Sequence, residues 1–291
     1  MRRELDALIA LIYRQLKRWA ISRSRLISTI IQPLLWIIFL GIGFGTVFSA
    51  QSIEPSNLIG NSTVARYIDP TVVKSLISRY FKAVFGGIDY MTFLITGMAS
   101  MTAFIGSFIS GISVIWDKQF GFLKETLVAP ASRKAVILGR VIGDSIINTV
   151  QSLIIILLAL LVSNQINPWS IPVALLYIFI MSLGFTSLGV AISLKFSSME
   201  GFQMIVNILT MPLMFISGVF YPINTMPDWM KIIAFMNPLT YCVYGTRYWL
   251  AGVRSNIEFM NPATSLAILT LFSGIFTIIA MFLFEKATIE E

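Results

Sequence analysis

Histidine is absent from this 291-residue chain, and its one cysteine is Cys242. Without histidine, the commonest metal ligand and the commonest general base are both missing. A lone cysteine excludes an intrachain disulfide and a cysteine metal cluster. Charge is scarce too: 12% of the residues are Asp, Glu, Lys or Arg, against roughly 25% in an ordinary soluble domain. No glycine is followed by lysine, so the phosphate-cradling Walker A loop is lacking. No G-x-S-x-G elbow is present either. A membrane enzyme needs a nucleophile with a base, or a metal, and neither is easily assembled from this inventory. We therefore expect no catalytic, cofactor-binding or metal-binding residue.

What is present is apolar: 56% of the chain is hydrophobic. No soluble fold of this length hides so much apolar surface, so lipid must be the solvent for most of it. The net charge of +7 sits mostly at the ends of apolar runs. That placement reports orientation in a membrane and argues against a nucleic-acid partner. The start does not read as a cleaved signal peptide. Its first apolar run begins near Leu26 behind a basic segment and continues to Phe48, beyond a signal's usual ~7–15-residue core.

Six stretches free of charge approach or exceed the length needed to cross ~30 Å of hydrocarbon. They run approximately Leu26–Ala50, Tyr90–Trp116, Ser145–Ser170, Ile171–Leu194, Gly201–Tyr221 and Phe259–Phe284, with Asp89 and Asp144 flanking spans. Each must be helical, because an unpaired backbone group in lipid costs several kcal/mol. With the N-terminus inside, 14 of the 21 Lys and Arg residues fall on inner segments. That bias puts both termini in the cytoplasm of a multi-pass plasma (inner) membrane protein. Intramembrane carboxylates of the kind that couple ion-driven carriers are missing from these runs, which disfavours an ion-coupled carrier; a channel shows no selectivity filter.

Three further segments stand outside the spans. In residues 1–25, Leu5, Leu8, Ile9, Ile12, Leu16 and Trp19 recur at helical spacing opposite Arg14, Lys17 and Arg18. This reads as an amphipathic helix in the inner interface, or equally as a helix packed on the bundle. In the first outer loop, Val72, Val73, Leu76, Ile77, Tyr80, Phe81 and Val84 mark one face of a helix ended by Gly86-Gly87; it reads as resting on the outer leaflet or capping the bundle, with a solvated connector as the other reading. Within residues 222–258, two short apolar pieces are broken at Asn237-Pro238, which fits a re-entrant pair of half-helices. The expected fold is thus all-α: residues 26–291 form a six-helix transmembrane domain, with an N-terminal cytoplasmic interfacial helix and a re-entrant pair before the last span. Gly41, Gly43, Gly45, Gly106, Ser110 and Gly111 offer close helix approach, and Pro33 and Pro212 offer kinks.

The most specific signal lies in the inner segment 117–140. From Asp117 it runs through Phe120, Gly121, Phe122, Leu123, Glu125, then Ala129-Pro130-Ala131-Ser132-Arg133, then Gly139-Arg140. A second element is Asn237-Pro238-Leu239-Thr240-Tyr241 with Arg247. Both resemble the membrane subunit of ABC type-2 exporters, the family of drug-resistance, polysaccharide and antibiotic-export permeases. The resemblance implies a dimeric permease working with two separate ATP-binding cassette subunits, which would hold the ATP and Mg. It implies that the inner loop holds a coupling helix docking on the ATPase through Asp117, Phe120, Gly121, Phe122, Leu123, Glu125, Pro130 and Arg133. An apolar anchor with a charged rim suits such docking; lying on lipid is the other reading of the same segment. The resemblance places the pathway between two copies, lined mainly by the first, second and fifth spans. There Met211, Met214, Phe215 and Phe220 would offer an adaptable surface to a hydrophobic, lipid-linked or drug-like cargo, although core packing explains the same residues. Asn237, Pro238 and Tyr241 would form an outer gate.

Overall fold

The structure, a computed structural model, describes residues 2–48, 69–121, 132–255, 257 and 259–287. Among them every regular element is helical, as apolar runs of this length demand. Six helical segments are long and apolar enough to cross a membrane: Ile31–Phe48, Tyr90–Gln119, Arg133–Val162, Pro168–Ser193, Met199–Ile216 and Pro262–Lys286.

Helix α1 (Arg2–Ile21) precedes the first span, which is built of α2 (Arg23–Trp36), a π-helical stretch (Ile37–Ile42) and α3 (Gly43–Phe48). Pro33 sits inside α2, one turn before the wider stretch begins. Proline removes a backbone donor, and the looser π-helical winding takes up the mismatch. Helix α4 (Pro70–Val84) forms the outer-loop helix. Asp69 caps it, accepting the Thr71 amide at 2.8 Å, and Gly86 and Gly87 end it at φ +78° and +94°. The second span is α5 (Tyr90–Ile109) and α6 (Ile112–Gln119), with a turn at Ser110-Gly111.

Helix α7 (Arg133–Val162) corrects the expected third span, which was placed at Ser145–Ser170. Its 30 residues extend about 45 Å at 1.5 Å per residue, and Arg140 and Asp144 lie buried within it. The idea that no charge enters a span fails here. Hydropathy marks where a helix meets lipid, whereas the first half of α7 meets α1 instead. Helix α8 (Ile171–Ser193) and α9 (Met199–Ile216) follow, and α9 stops short of the expected Tyr221. Two short helices, α10 (Asp228–Met236) and α11 (Pro238–Ala251), meet at Asn237 as the sequence suggests. Helix α12 (Pro262–Ala287) is last.

α8 is the hub, packing along α12, α7, α11 and α5. Phe104, Phe108, Phe185 and Phe272 form a chain of aromatic contacts at its centre. Glycine permits a crossing at backbone contact: a Cβ on Gly111 would lie 2.5 Å from the Gly189 carbonyl oxygen. Gly41 packs on Met91, but a Cβ on Gly43 or Gly45 would meet nothing within 4 Å. The Gly41-x-x-x-Gly45 spacing is therefore not a packed motif within this chain.

Candidate functional site: the inner clamp, the outer half-helices and the open face

One end of the bundle gathers the flanks of the inner loop. Residues 122–131 are outside the described residues, and Phe122, Leu123, Glu125 and Pro130 fall among them. Asp117, near the end of α6, is turned inward and buried. Arg140 of α7 donates to its carboxylate at 2.7 Å and to the Ser113 hydroxyl at 3.1 Å. Arg14 and Arg18 of α1 stand 3.8 Å from the other carboxylate oxygen. One carboxylate thus ties three helices together at the root of the loop. Two charges so buried are stable only because each satisfies the other.

The loop's remaining flanks are also held. Arg133 donates to the Glu285 carbonyl of α12 at 3.1 Å, and Gln119 donates to the Ser197 carbonyl at 2.9 Å. Phe120 is 61% exposed beside Trp116, with ring centroids 5.3 Å apart. Gly121 turns the chain at φ +76°. Of the described docking candidates, Phe120 and Gly121 present themselves outward, while Asp117 belongs to the clamp.

At the opposite end, Asn237 accepts from the Leu239 amide at 3.0 Å and donates to the Leu213 carbonyl of α9 at 2.7 Å. Its side chain therefore caps α11 and pins the break between the half-helices to the end of the fifth span. Pro238 occupies the first turn of α11, where its missing amide costs nothing. Tyr241 donates to the Phe235 carbonyl at 2.7 Å, and its ring is buried. Arg247, assigned from the sequence to an outer segment, is instead buried on α11. It donates to the carbonyls of Phe93 at 2.9 Å and Gly218 at 3.1 Å, and its guanidinium lies 3.5 Å from the Phe93 ring centroid. No carboxylate among the described residues pairs with it. The sequence hints at it through its place in an otherwise apolar half-helix and beside the Asn237–Tyr241 element, but neither hint says that it is buried.

The cargo candidates divide. Met214 and Phe220 are buried, with the Phe220 ring 5.7 Å from Trp36 and 5.1 Å from Phe215. Met211 is 63% exposed and Phe215 is exposed as well, beside Met204 and Ile208 on the same helix. The first span likewise leaves Ile31, Leu35, Ile38 and Phe39 uncovered.

These features describe a polytopic helical membrane protein with a clamped loop root at one end, a broken helix pair at the other and one long apolar face left open. Comparison with known proteins supplies the family. The family described as "ABC-2 type transporter" matches residues 6–250, and the chain belongs to it. Among its relatives, the transport permease ycf38 of Cyanophora paradoxa is 30% identical over 97% of this chain and 88% of its own. The inner membrane transport permease YadH of Escherichia coli K12 is 22% identical over 77% of this chain and 88% of its own. The multidrug ABC transporter permease YbhR of the same strain is 27% identical over 53% of this chain and 42% of its own.

Proposed function

We propose that the chain is the membrane-spanning subunit of an ATP-driven exporter, built from two copies of itself and two separate ATP-binding cassette subunits. The family match over residues 6–250 carries this reading. The open apolar faces of the first span and α9 support a partner copy there, because a pathway lies most simply between two such faces. Both termini and the 117–140 loop lie on the cytoplasmic side of an inner membrane, the side favoured by the basic residues. The α10–α11 pair is re-entrant from the outer side and serves as the gate, with Asn237 as its hinge. The cargo is hydrophobic, lipid-linked or drug-like, and ATP and Mg are held by the partner subunit.

The clamp suits this role. A loop that receives a push from an ATPase must pass it to the helices, and Asp117 joins the loop root to α7 and α1 through directed ion pairs. The buried charges at Arg140, Asp144 and Arg247 remove the expectation of charge-free spans as an argument against an ion-coupled carrier. Family membership is what favours the exporter.

The test is a pull-down of the tagged chain from its native membranes in mild detergent, followed by an ATPase assay. A stoichiometric partner carrying a Walker A motif, with hydrolysis in the complex, is expected. Recovery of the chain alone, with no nucleotide turnover, overturns the reading. Phe122→Asp is expected to abolish recovery of that partner while leaving the permease folded, because the substitution would bury a charge in the docking groove.

A further inference from the structure

A cavity of about 370 Å³ opens between α1, the first span, the second span and α7. Gln15, Gln32, Trp36, Thr102, Asn148 and Gln151 line it. Met98, Met101, Ile105 and Ile147 line it as well, so amide and hydroxyl groups are set into a partly apolar wall, and its volume falls in the ~300–1,000 Å³ range of small-molecule sites. Gln151 is only 6% exposed, and no hydrogen bond reaches its amide from the described residues. Asn148, 4% exposed, also lines the cavity; it donates to the Ser107 hydroxyl at 3.1 Å, and its carbonyl oxygen packs against Gly106. An amide that faces a cavity without a protein partner offers an occupant both a donor and an acceptor, so the cavity suits a guest that can do the same. Arg18 and Asp144, of opposite sign, also reach its wall. The cavity therefore has no single-sign charge and does not select a strongly ionic guest.

One wall of the cavity is the first span, at Gln32, Pro33 and Trp36. There Ile31, Leu35 and Ile38 recur at helical spacing and stand exposed, on the stripe adjoining Gln32 and Trp36. Polar recess and apolar stripe together match a molecule with two ends. We propose that the cavity binds the head of an amphiphile carrying hydroxyl or amide groups, with its tail lying along the first span. As a cargo site it rests on the exporter reading; as a headgroup site it does not.

The probe is a dodecyl glucoside bearing a diazirine next to the sugar, applied to the full chain in vesicles of its native lipid. Photolabelling is expected on peptides spanning 32–36 and 148–151. The double variant Asn148→Leu/Gln151→Leu should lower it about tenfold, the loss expected for two hydrogen bonds. Gln32→Leu, at an exposed position that leaves packing intact, should lower it severalfold and guards against misfolding of the double variant. Unchanged labelling in both variants, or equal labelling by a dodecyl diazirine without the sugar, overturns the site. In vesicles that also hold the ATP-binding partner, dodecyl glucoside raising ATP turnover in the native chain but not in the double variant assigns the site to the cargo. Labelling with no effect on turnover assigns it to a resident membrane lipid. Labelling itself needs no partner subunit, so it stands or falls separately from the exporter reading.

Discussion

Two arginines do unlike things with the same guanidinium. Arg140 is neutralised by a carboxylate 2.7 Å away, whereas Arg247 is held by carbonyls from two separate segments and by the face of Phe93. The second arrangement depends on the planar fork, which reaches several acceptors at fixed angles. Lysine at 247 would bring one ammonium to a site shaped for spread donors. Arg247→Lys is expected to cost about 1–3 kcal/mol, seen as a lower melting temperature in detergent. An unchanged melting temperature would mean that those carbonyls are satisfied without it. Asp117 is the more sensitive position, because removing it strands Arg140 in the interior. Asp117→Asn should destabilise by about 3–5 kcal/mol and expose α1 to protease. Adding Arg140→Met should recover part of that loss, since replacing both partners leaves no buried charge. Protease sensitivity in the double variant equal to the single would show that the ion pair is not what seats α1.

Among the elements, helix crossings are limited by backbone contact. Gly111 and Gly189 let the turn between α5 and α6 lie directly on α8. Gly111→Val places its Cβ against a main-chain oxygen that has no rotamer to yield, so overpacking of about 1–3 kcal/mol is expected. The same change at Gly43, where a Cβ meets nothing, should be tolerated, and thermal melts of the two variants compare them directly. The outer helix α4 offers a titration. The Thr71 hydroxyl and amide hold the exposed Asp69 carboxyl below its usual 3.8. A depressed carboxylate lends stability above its unfolded value and loses it as pH falls through the folded one. The protection of α4 amides relative to their intrinsic exchange rate should therefore fall below about pH 4, and in Asp69→Ala that protection should be low and independent of pH across this range. Helix α1 shows that amphipathicity alone leaves placement open. Leu8, Leu11 and Ile12 meet α7 at Gly139 and Gly143, whereas Leu5, Ile9 and Tyr13 stay exposed. Periodicity predicts an apolar stripe, but either lipid or a neighbouring helix satisfies it.

For the molecule as a whole, the open face of α9 and the first span is the feature with the widest consequence. Cys242 is buried on α11 and is the single cysteine, so a Cys242→Ser background makes cross-linking unambiguous. Met211→Cys in that background is expected to form a covalent dimer under mild oxidation in membranes, which requires Cα atoms within about 7 Å of each other. Cross-linking at Ile278→Cys on α12, whose exposed side we assign to lipid, serves as the comparison. Equal yields at both positions would argue against a dimer seam at α9.

The sequence by itself determined the class, the number of spans, the α4 helix with its Gly86-Gly87 end and the break at Asn237-Pro238. Each depends on neighbours in the chain: twenty or so apolar residues, an apolar face at helical spacing closed by two glycines, an Asn-Pro pair. The tertiary structure decided where α7 begins, that Asp117 faces inward, that Arg247 is buried, and that Gln151 lines a cavity. Those outcomes depend on partners far away in the chain, Asp117 and Arg140 standing 23 positions apart and Phe93 and Arg247 154. Hydropathy averages over a local window and records an arginine as a cost. Only the folded chain shows whether a carboxylate or a pair of carbonyls has been brought close enough to offset that cost.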